Sequence, residues 1–267
     1  MSTILDTIVA NKRKEIEKLK LLSSVERFEQ KGFFWNFTTR SLKQRLLAEG
    51  STGIIAEFKR KSPSKGWFKP TELEVEPVVV AYNHLGAAGI SVLTDTEFFG
   101  GDLDDLIQSK IITEVPVLRK DFMVDPWQIA EAKAFGADVI LLIAACLSPA
   151  EVKSMAAYAK SIGLEVLLEI HNEEELEHIC DEVDMVGVNN RDLKTFTVSI
   201  DRSLELISKI PADKPAVAES GISNAGTIVT LRQAGFKGFL IGETFMKEPD
   251  PAIAFASFVQ QLKSEST

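Results

Sequence analysis

Short, β-branched apolar runs alternate with longer helical patterns from Gly53 almost to the end of the chain. Such alternation is typical of strand-helix-strand units, in which the strands form a parallel sheet. Most of the connections are long enough for a crossover helix. The runs that are predicted as strands are residues 53–58, 90–94, 115–118, 139–143, 165–170, 185–189, 216–219 and 238–241.

Eight parallel strands with returning helices close most naturally into a (β/α)₈ barrel, the TIM barrel, so the predicted fold class is α/β. A barrel of this kind needs about 250 residues. The length of 267 residues therefore favours one barrel domain over residues 1–267, with residues 1–48 as an N-terminal helical extension. A doubly wound open sheet is the alternative architecture.

Apolar residues form a stripe on an otherwise charged helix at the start of the extension, over residues 4–21. A stripe of this kind either packs against the barrel or lies on a membrane surface. Packing is favoured, because Glu15 and Glu17 interrupt the basic face that a membrane-surface helix requires. The stripe consists of Ile4, Leu5, Ile8, Val9, Ile16 and Leu19.

Four later helix starts are recognisable in the barrel sequence. Asp125-Pro126 and Ser148-Pro149 each pair a capping residue with a proline, which suits the first helical position. Asn172 is followed by three glutamates, which suit the positive end of a helix. A last helix is predicted to begin after Pro251 and to end near residue 263.

Charge and hydropathy exclude several classes of partner. A net charge of −9 opposes nucleic-acid binding, so any anionic ligand must be met locally. No apolar run approaches the roughly 20 residues of a membrane span, and the charged N-terminus does not resemble a signal peptide, which predicts a cytoplasmic protein. The spacing of His84, His171 and His178 is not that of a metal site, so no metal is predicted. A monomer is compatible with the sequence, which does not determine the oligomeric state.

Charged side chains recur where the predicted strands end. In a parallel barrel these ends form the functional face. A solvated strand end is the commoner explanation for any one such charge. Burying several carboxylates and lysines together at one mouth costs folding free energy, however, so their convergence indicates a functional site. Two-residue periodicity places Glu57 and Lys59 on one face of the first strand, and allows only one of Asn189 and Asn190 to face the mouth.

The loops after the seventh and eighth strands have the features of a phosphate site. Barrels often bind phosphate there with backbone N–H groups. Gly221 and Gly242 allow a close approach to a ligand oxygen, and Asn224 is a candidate cap for the following helix. Residues 59–66 form a basic loop in an acidic protein, and it is either a solvated loop or a lid that attracts an anion.

Five segments of the chain resemble motifs of the indole-3-glycerol phosphate synthase family, in that family's order. The resemblance extends from the N-terminal helix to the last strand. The segments are IAEFKRKSPS at 55–64, LTD at 93–95, VLRKDF at 117–122, GVNNRDL at 187–193 and AESGI at 218–222.

The resemblance implies a substrate and roles for individual residues. The substrate would be 1-(2-carboxyphenylamino)-1-deoxyribulose 5-phosphate, converted to indole-3-glycerol phosphate with loss of carbon dioxide and water and without a cofactor. Lys120 resembles the general acid and Glu169 the general base. Lys59 would hold the aryl carboxylate, and Glu57 would orient Lys59 or share in proton transfer. Burial and the neighbouring Lys59 would lower the pKa of Lys120.

The remaining implied contacts are to the sugar, the aromatic ring and the phosphate. Asn189 and Glu219 would contact sugar hydroxyls, and Phe99 and Phe122 would flank the ring. Ser62 and Arg191 match motif positions of the same mouth. Phosphate contacts would come from Lys61, Ser220, Gly221, Gly242 and the backbone of Glu243, because the carboxylate side chain of Glu243 would repel a phosphate.

Two alternative functions remain open at this point. One is another phosphate-binding barrel enzyme, such as phosphoribosylanthranilate isomerase, although its acid–base pair would not require Glu57, Lys59 and Lys120 together. The other is a non-catalytic sugar-phosphate binding protein, against which Lys120 and Glu169 argue.

Overall fold

A computed structural model describes residues 3–192 and 197–265, so Leu193 of the fourth motif lies outside the described residues. Eight parallel strands close into a barrel in the order β1-β8-β7-β6-β5-β4-β3-β2. This closed order confirms the predicted (β/α)₈ fold and excludes the open sheet. The strands are β1 (Ile54–Phe58), β2 (Gly89–Leu93), β3 (Val117–Lys120), β4 (Val139–Ile143), β5 (Glu165–Ile170), β6 (Met185–Asn189), β7 (Ala216–Glu219) and β8 (Gly238–Ile241).

The strand bounds differ most from the prediction at β3, which begins at Val117 rather than at residue 115. Pro116 explains the shift, because it has no N–H group for the sheet ladder. Its carbonyl instead accepts a hydrogen bond from the backbone N of Ile90 at 2.9 Å. At its other end β3 extends beyond the predicted Leu118 to Lys120, which pairs with Leu93 of β2 and is therefore a strand residue.

Helices surround the barrel, and two of the predicted helix starts form complete capping boxes, at Asp125 and Ser148. The start at Asn172 opens only a five-residue 3₁₀ helix, Glu174–His178, because residues 171–184 are a short connection between β5 and β6. The helices are α1 (Ile4–Lys20), α2 (Val25–Lys31), α3 (Leu42–Leu47), α4 (Val75–His84), α5 (Thr96–Phe99), α6 (Leu103–Ile112), α7 (Pro126–Ala134), α8 (Pro149–Ser161), α9 (Asp201–Leu206), α10 (Ala225–Ala234), α11 (Glu243–Met246) and α12 (Pro251–Glu265).

Alternate residues of the strands point into the barrel, where seven of the eight strands contribute to an apolar core distinct from the one beneath the helices. Leu118, Leu167 and Val217 belong to this inner core. The next inward position on the same strand therefore lies two residues later, at the mouth of the barrel. In this way β3, β5 and β7 each place a charged side chain at the mouth, namely Lys120, Glu169 and Glu219.

The N-terminal segment packs against both ends of the barrel. On α1, Ile8, Lys12 and Ile16 are buried, which confirms the packing interpretation of the stripe. Lys12 was not part of that prediction; its Nζ lies 3.0 Å from Asp95 and 3.1 Å from Asp121. At the opposite end, α3 contributes Leu42 and Leu46 to the inner core. The division into one domain with an extension at residues 1–48 remains a proposal.

Candidate active site

A cavity of about 540 Å³ occupies the carboxyl-terminal mouth of the barrel. The volume is typical of a small-molecule site. Every candidate site residue from the sequence lines it except Lys61, whose Nζ donates to the backbone oxygen of Glu97 at 2.6 Å. The candidates that line it are Glu57, Lys59, Ser62, Phe99, Lys120, Phe122, Glu169, Asn189, Arg191, Glu219, Ser220, Gly221, Gly242 and Glu243.

Lys120 lies between two carboxylates at the centre of the mouth. Its Nζ donates to Oε2 of Glu169 at 2.8 Å and to Oε2 of Glu219 at 3.0 Å. Burial lowers the pKa of Lys120, but the charges of Glu169, Glu219 and Glu57 outweigh burial and raise it above its ordinary value. The expectation of a lowered Lys120 pKa is therefore wrong, and the ammonium form is the stable one.

The two carboxylates beside Lys120 differ in their titration. Burial raises the pKa of Glu219 to about 7, with the charge of Glu169 adding to the effect against the opposing charge of Lys120. For Glu169, burial acts in the same direction, but Lys120 and His171 together hold the pKa well below its ordinary value. Near neutral pH, Glu169 is therefore a carboxylate and Glu219 is divided between its two forms.

Glu57 and Lys59 form the second ion pair of the mouth, with Oε1 of Glu57 2.6 Å from Nζ of Lys59. Phe58 between them belongs to the core under the helices, so the predicted alternation along β1 is confirmed. Gly242 lies directly against this pair. A Cβ atom at Gly242 would be 2.4 Å from Oε1 of Glu57, which explains the glycine.

Asn189 is the residue of the asparagine pair that faces the mouth. Its Nδ2 donates to Oε1 of Glu169 at 3.0 Å. Asn190 is buried behind the strand, where its Nδ2 donates to the backbone oxygen of Ser220 at 3.1 Å and its Oδ1 accepts from the Ser203 hydroxyl at 2.8 Å. Strand periodicity thus makes Asn189 a candidate for binding a ligand and Asn190 a structural residue.

One side of the cavity is apolar and aromatic. The rings of Phe99 and Phe122 lie with their centroids 5.9 Å apart and their planes inclined by 38°. Ile4, Leu5 and Ile8 of α1 line the cavity as well, which the sequence analysis did not foresee. The mouth is therefore completed by the N-terminal segment and suits a ligand with an aromatic part.

The loops after β7 and β8 meet at the other side of the cavity. Ser220 and Gly221 both have left-handed backbone conformations, with φ of 65° and 77°. A Cβ atom at Gly221 would lie 2.6 Å from Cγ1 of Val198. Asn224 caps α10 as predicted, its side chain accepting from the backbone N of Thr227. Such a turn beside a helix N-terminus presents N–H groups to an anion.

Glu243 also lies on this side, and its carboxylate is held by cations. Lys65 of the basic loop donates to its Oε1 at 2.5 Å, and a guanidinium nitrogen of Arg191 lies 3.6 Å from its Oε2. Burial raises the pKa of Glu243, but Lys65, Lys59 and Arg191 outweigh it and keep the carboxyl ionised. The basic loop, which contains a hairpin of residues 61–62 and 66–67, is thus tied to the start of α11.

His171 is the polar neighbour of the mouth that the sequence analysis missed as a site residue. Its Nε2 lies 3.1 Å from Oε1 of Glu169. The spacing of two residues from Glu169, just beyond the end of β5, was the available signal. Among residues 3–192 and 197–265, no group of three or more His, Cys, Asp or Glu side chains is arranged for a metal, and no helix could span a membrane.

A closed parallel barrel with acid–base groups converging at its carboxyl-terminal mouth defines a (β/α)₈-barrel enzyme of acid–base chemistry. The family model of indole-3-glycerol phosphate synthase matches residues 5–258. An indole-3-glycerol phosphate synthase from Bacteroides thetaiotaomicron is 46% identical over 263 residues, covering 98% of this chain and 100% of the relative. One from a Polaromonas species is 44% identical over 260 residues, covering 96% and 98%. The chain belongs to the indole-3-glycerol phosphate synthase family.

Solved structures of low sequence identity share the fold. The tryptophan synthase complex of Pyrococcus furiosus contains a chain with a TM-score of 0.59 and 15% identity, covering 79% of this chain and 97% of that one. A thiamine phosphate pyrophosphorylase from the same organism gives a TM-score of 0.60 at 15% identity, covering 84% and 98%. These likenesses support the barrel architecture alone.

Proposed function

We propose that the chain catalyses the indole-3-glycerol phosphate synthase reaction, a ring closure with loss of carbon dioxide and water. The observation that carries the proposal is the position of Lys120 between Glu169 and Glu219 in the mouth. It unites a stable ammonium, an ionised carboxylate and a carboxyl that titrates near neutrality. The isomerase and the non-catalytic binding protein find no support among the relatives.

Lys120 acts as the general acid in this proposal. When the aryl carbon attacks the ketone carbon of the substrate, negative charge develops on the ketone oxygen. The ammonium of Lys120 stabilises that charge and gives up a proton to the alkoxide, which is a stronger base than an amine. A raised pKa suits this role, because the group must arrive protonated.

Glu169 and the Glu57–Lys59 pair complete the chemistry. The aryl carboxylate binds the ammonium of Lys59, which Glu57 holds in place, until it leaves as carbon dioxide. Glu169 then removes a proton from the ring-closed intermediate, and the hydroxyl group takes up a proton from an ammonium group of the mouth and leaves as water. Phe99 and Phe122 flank the aromatic ring, while Asn189, Glu219, Ser62 and Arg191 contact the sugar and the lysine network.

The phosphate is held by the backbone at Ser220, Gly221, Gly242 and Glu243, remote from the reacting carbon atoms. A small anionic substrate and a cytoplasmic location are part of the proposal. The absence of a cofactor, the absence of a nucleic-acid partner and a monomeric state remain predictions. Incubation with the aryl-amino ribulose phosphate, followed by indole absorbance, tests the function; a folded protein without indole formation would refute it.

Gly221→Val is expected to weaken binding of the substrate and of inorganic phosphate by about tenfold or more. The valine side chain would meet Val198 and strain a left-handed residue in the phosphate turn. Isothermal titration with phosphate measures the effect. Gly163→Val is the matched control, because Gly163 has φ of 81° but lies away from the mouth. Equal phosphate affinity of both folded variants would contradict the assignment of the turn.

Glu243→Ser is expected to lower the KM by about three- to tenfold, with little change in kcat. Its carboxylate repels a phosphate and occupies Lys65 and Arg191, so its removal frees both cations. Steady-state kinetics at low salt measure the change. Glu173→Ser is the control, since Glu173 pairs with Lys209 outside the mouth. A raised KM would show that the Lys65–Glu243 contact assists substrate binding.

A further inference from the structure

His171 is a buried charged group that touches the mouth but has no part in the proposed chemistry. Only 6% of the residue is exposed. Its Nε2 lies 3.1 Å from Oε1 of Glu169, and its Nδ1 lies 3.2 Å from Oε2 of Glu175. Each ring nitrogen thus lies close to a carboxylate oxygen: Nδ1 is within hydrogen-bond geometry of Glu175, whereas the approach of Nε2 to Glu169 is an ion pair without hydrogen-bond geometry.

Glu175 is itself fixed in place. Its Oε2 also accepts from the backbone N of His171 at 2.7 Å, and its Oε1 accepts from Nδ2 of Asn172 at 3.1 Å. The backbone N of Glu175 donates in return to Oδ1 of Asn172 at 3.1 Å. These contacts tie the short 3₁₀ helix to the end of β5, so Glu175 is a rigid support for the imidazole ring.

A ring between two carboxylates favours the doubly protonated form. Burial lowers the pKa of His171, but the hydrogen bonds and charges of Glu169 and Glu175 raise it to about 9. His171 is therefore an imidazolium at neutral pH. It places a second cation against Glu169, at the oxygen that Lys120 does not contact.

We propose that His171, supported by Glu175, is a positioning residue for the Glu169 carboxylate. The inference rests on the proposed role of Glu169 as the general base. When the substrate oxygen takes up the proton of Lys120, Glu169 loses part of the cation that keeps it ionised. His171 remains charged in that state and attracts Oε1, so the Glu169 carboxylate stays ionised and its other oxygen, Oε2, stays directed towards the substrate.

Other titratable groups near this pair do not provide the same support. The thiol of Cys146 is influenced by both Glu169 and Glu175, and burial raises its pKa to about 12, so it stays neutral. On the far side of Glu169 are Lys120 and Glu219, which already belong to the acid–base centre. Over neutral to mildly alkaline pH, His171 is the cation that reaches Oε1 of Glu169.

The charge on His171 is measurable without catalysis. The chain has three histidines, so His171→Gln assigns the ring signal of His171 in a proton–carbon correlation spectrum. The wild-type signal is expected to titrate near pH 9. In Glu169→Gln and in Glu175→Gln the midpoint is expected to fall, because each variant removes one of the two anions. A midpoint at the ordinary histidine value in the wild type would overturn the proposal.

The catalytic effect is measured with His171→Gln and Glu175→Gln. Loss of the charged contact is expected to lower kcat by about ten- to hundredfold with little change in KM. Because His171 lowers the pKa of Glu169, the acidic limb of the kcat profile is expected to move to higher pH in His171→Gln. The part of the alkaline limb that reports deprotonation of His171 near pH 9 is expected to disappear.

His178→Gln is the matched control. His178 is also buried and also near Glu175, but its Nε2 faces the backbone oxygen of Leu147 at 2.9 Å and not Glu169. Equal kcat values and equal pH profiles for the folded His171 and His178 variants would refute positioning by His171. Glu175→Gln provides the same test if His171→Gln does not fold. Full turnover in Glu169→Gln would instead refute the proposed role of Glu169.

Discussion

Replacement of Lys120 by alanine is expected to lower kcat by at least about 10²-fold, and by up to about 10⁴-fold, while the KM changes much less. Lys120 is the group that provides both a proton and a positive charge at the ketone oxygen. Its two carboxylate partners remain in the variant and cannot replace that charge. Steady-state rates of indole formation measure the loss, and titration with a substrate analogue shows whether binding persists.

Lys110→Ala is the matched control for Lys120→Ala. Lys110 is also a buried ammonium, and its Nζ lies 2.6 Å from Oδ1 of Asp138, at the end of the barrel opposite the mouth. Both variants lose a buried ion pair, so both are expected to lose stability. Only Lys120→Ala is expected to lose turnover at saturating substrate, and a near-normal kcat in that variant would assign the acid to another residue.

Glu169→Gln is expected to separate decarboxylation from dehydration. The single oxygen of the glutamine side chain can still accept a hydrogen bond from Lys120, so the early ring closure and the loss of carbon dioxide proceed. It cannot accept the proton, so formation of the indole slows by about 10²- to 10⁴-fold. An intermediate that has lost carbon dioxide but not water then accumulates. Single-turnover experiments that follow carbon dioxide and indole separately measure both steps.

Glu165→Gln is the control on the same strand. Glu165 lies at the opposite end of β5, where its carboxylate accepts from the backbone N atoms of Leu42 and Lys43. Its replacement weakens packing of the N-terminal segment without touching the mouth. Equal slowing of carbon dioxide release and indole formation in Glu169→Gln would show that Glu169 acts from the first step.

Most residues of the mouth were predictable because the side chains of a barrel strand alternate between its inner and outer faces. Once β5 and β7 are recognised, the residues that follow Leu167 and Val217 by two positions must face the ligand, and these are Glu169 and Glu219. Lys61 shows the limit of this reasoning. It lies in a hairpin after the strand, where the turn and not the strand period directs the side chain, here towards Glu97.

The charge state of Lys120 was not predictable from its own strand. Its pKa depends on Glu169 and Glu219, which come from β5 and β7, and only barrel closure determines how near they lie. The contribution of α1 to the cavity was not predicted from the sequence, for a related reason. An apolar stripe predicts that a helix docks, but here the docking site includes a buried pairing of Lys12 with Asp95 and Asp121.

The long sequence separation between α1 and its partners has a consequence for the synthesis of the chain. The α1 helix is synthesised well before the residues that hold it: Asp121 pairs with Lys12, and Asp125, which binds Lys20, follows that residue by 105 positions. Until β3 has emerged, Asp121 and Asp125 are missing, and the apolar stripe of α1 stays exposed. The α1 helix can therefore complete the mouth that binds the substrate only after the strands that carry its partners have been synthesised.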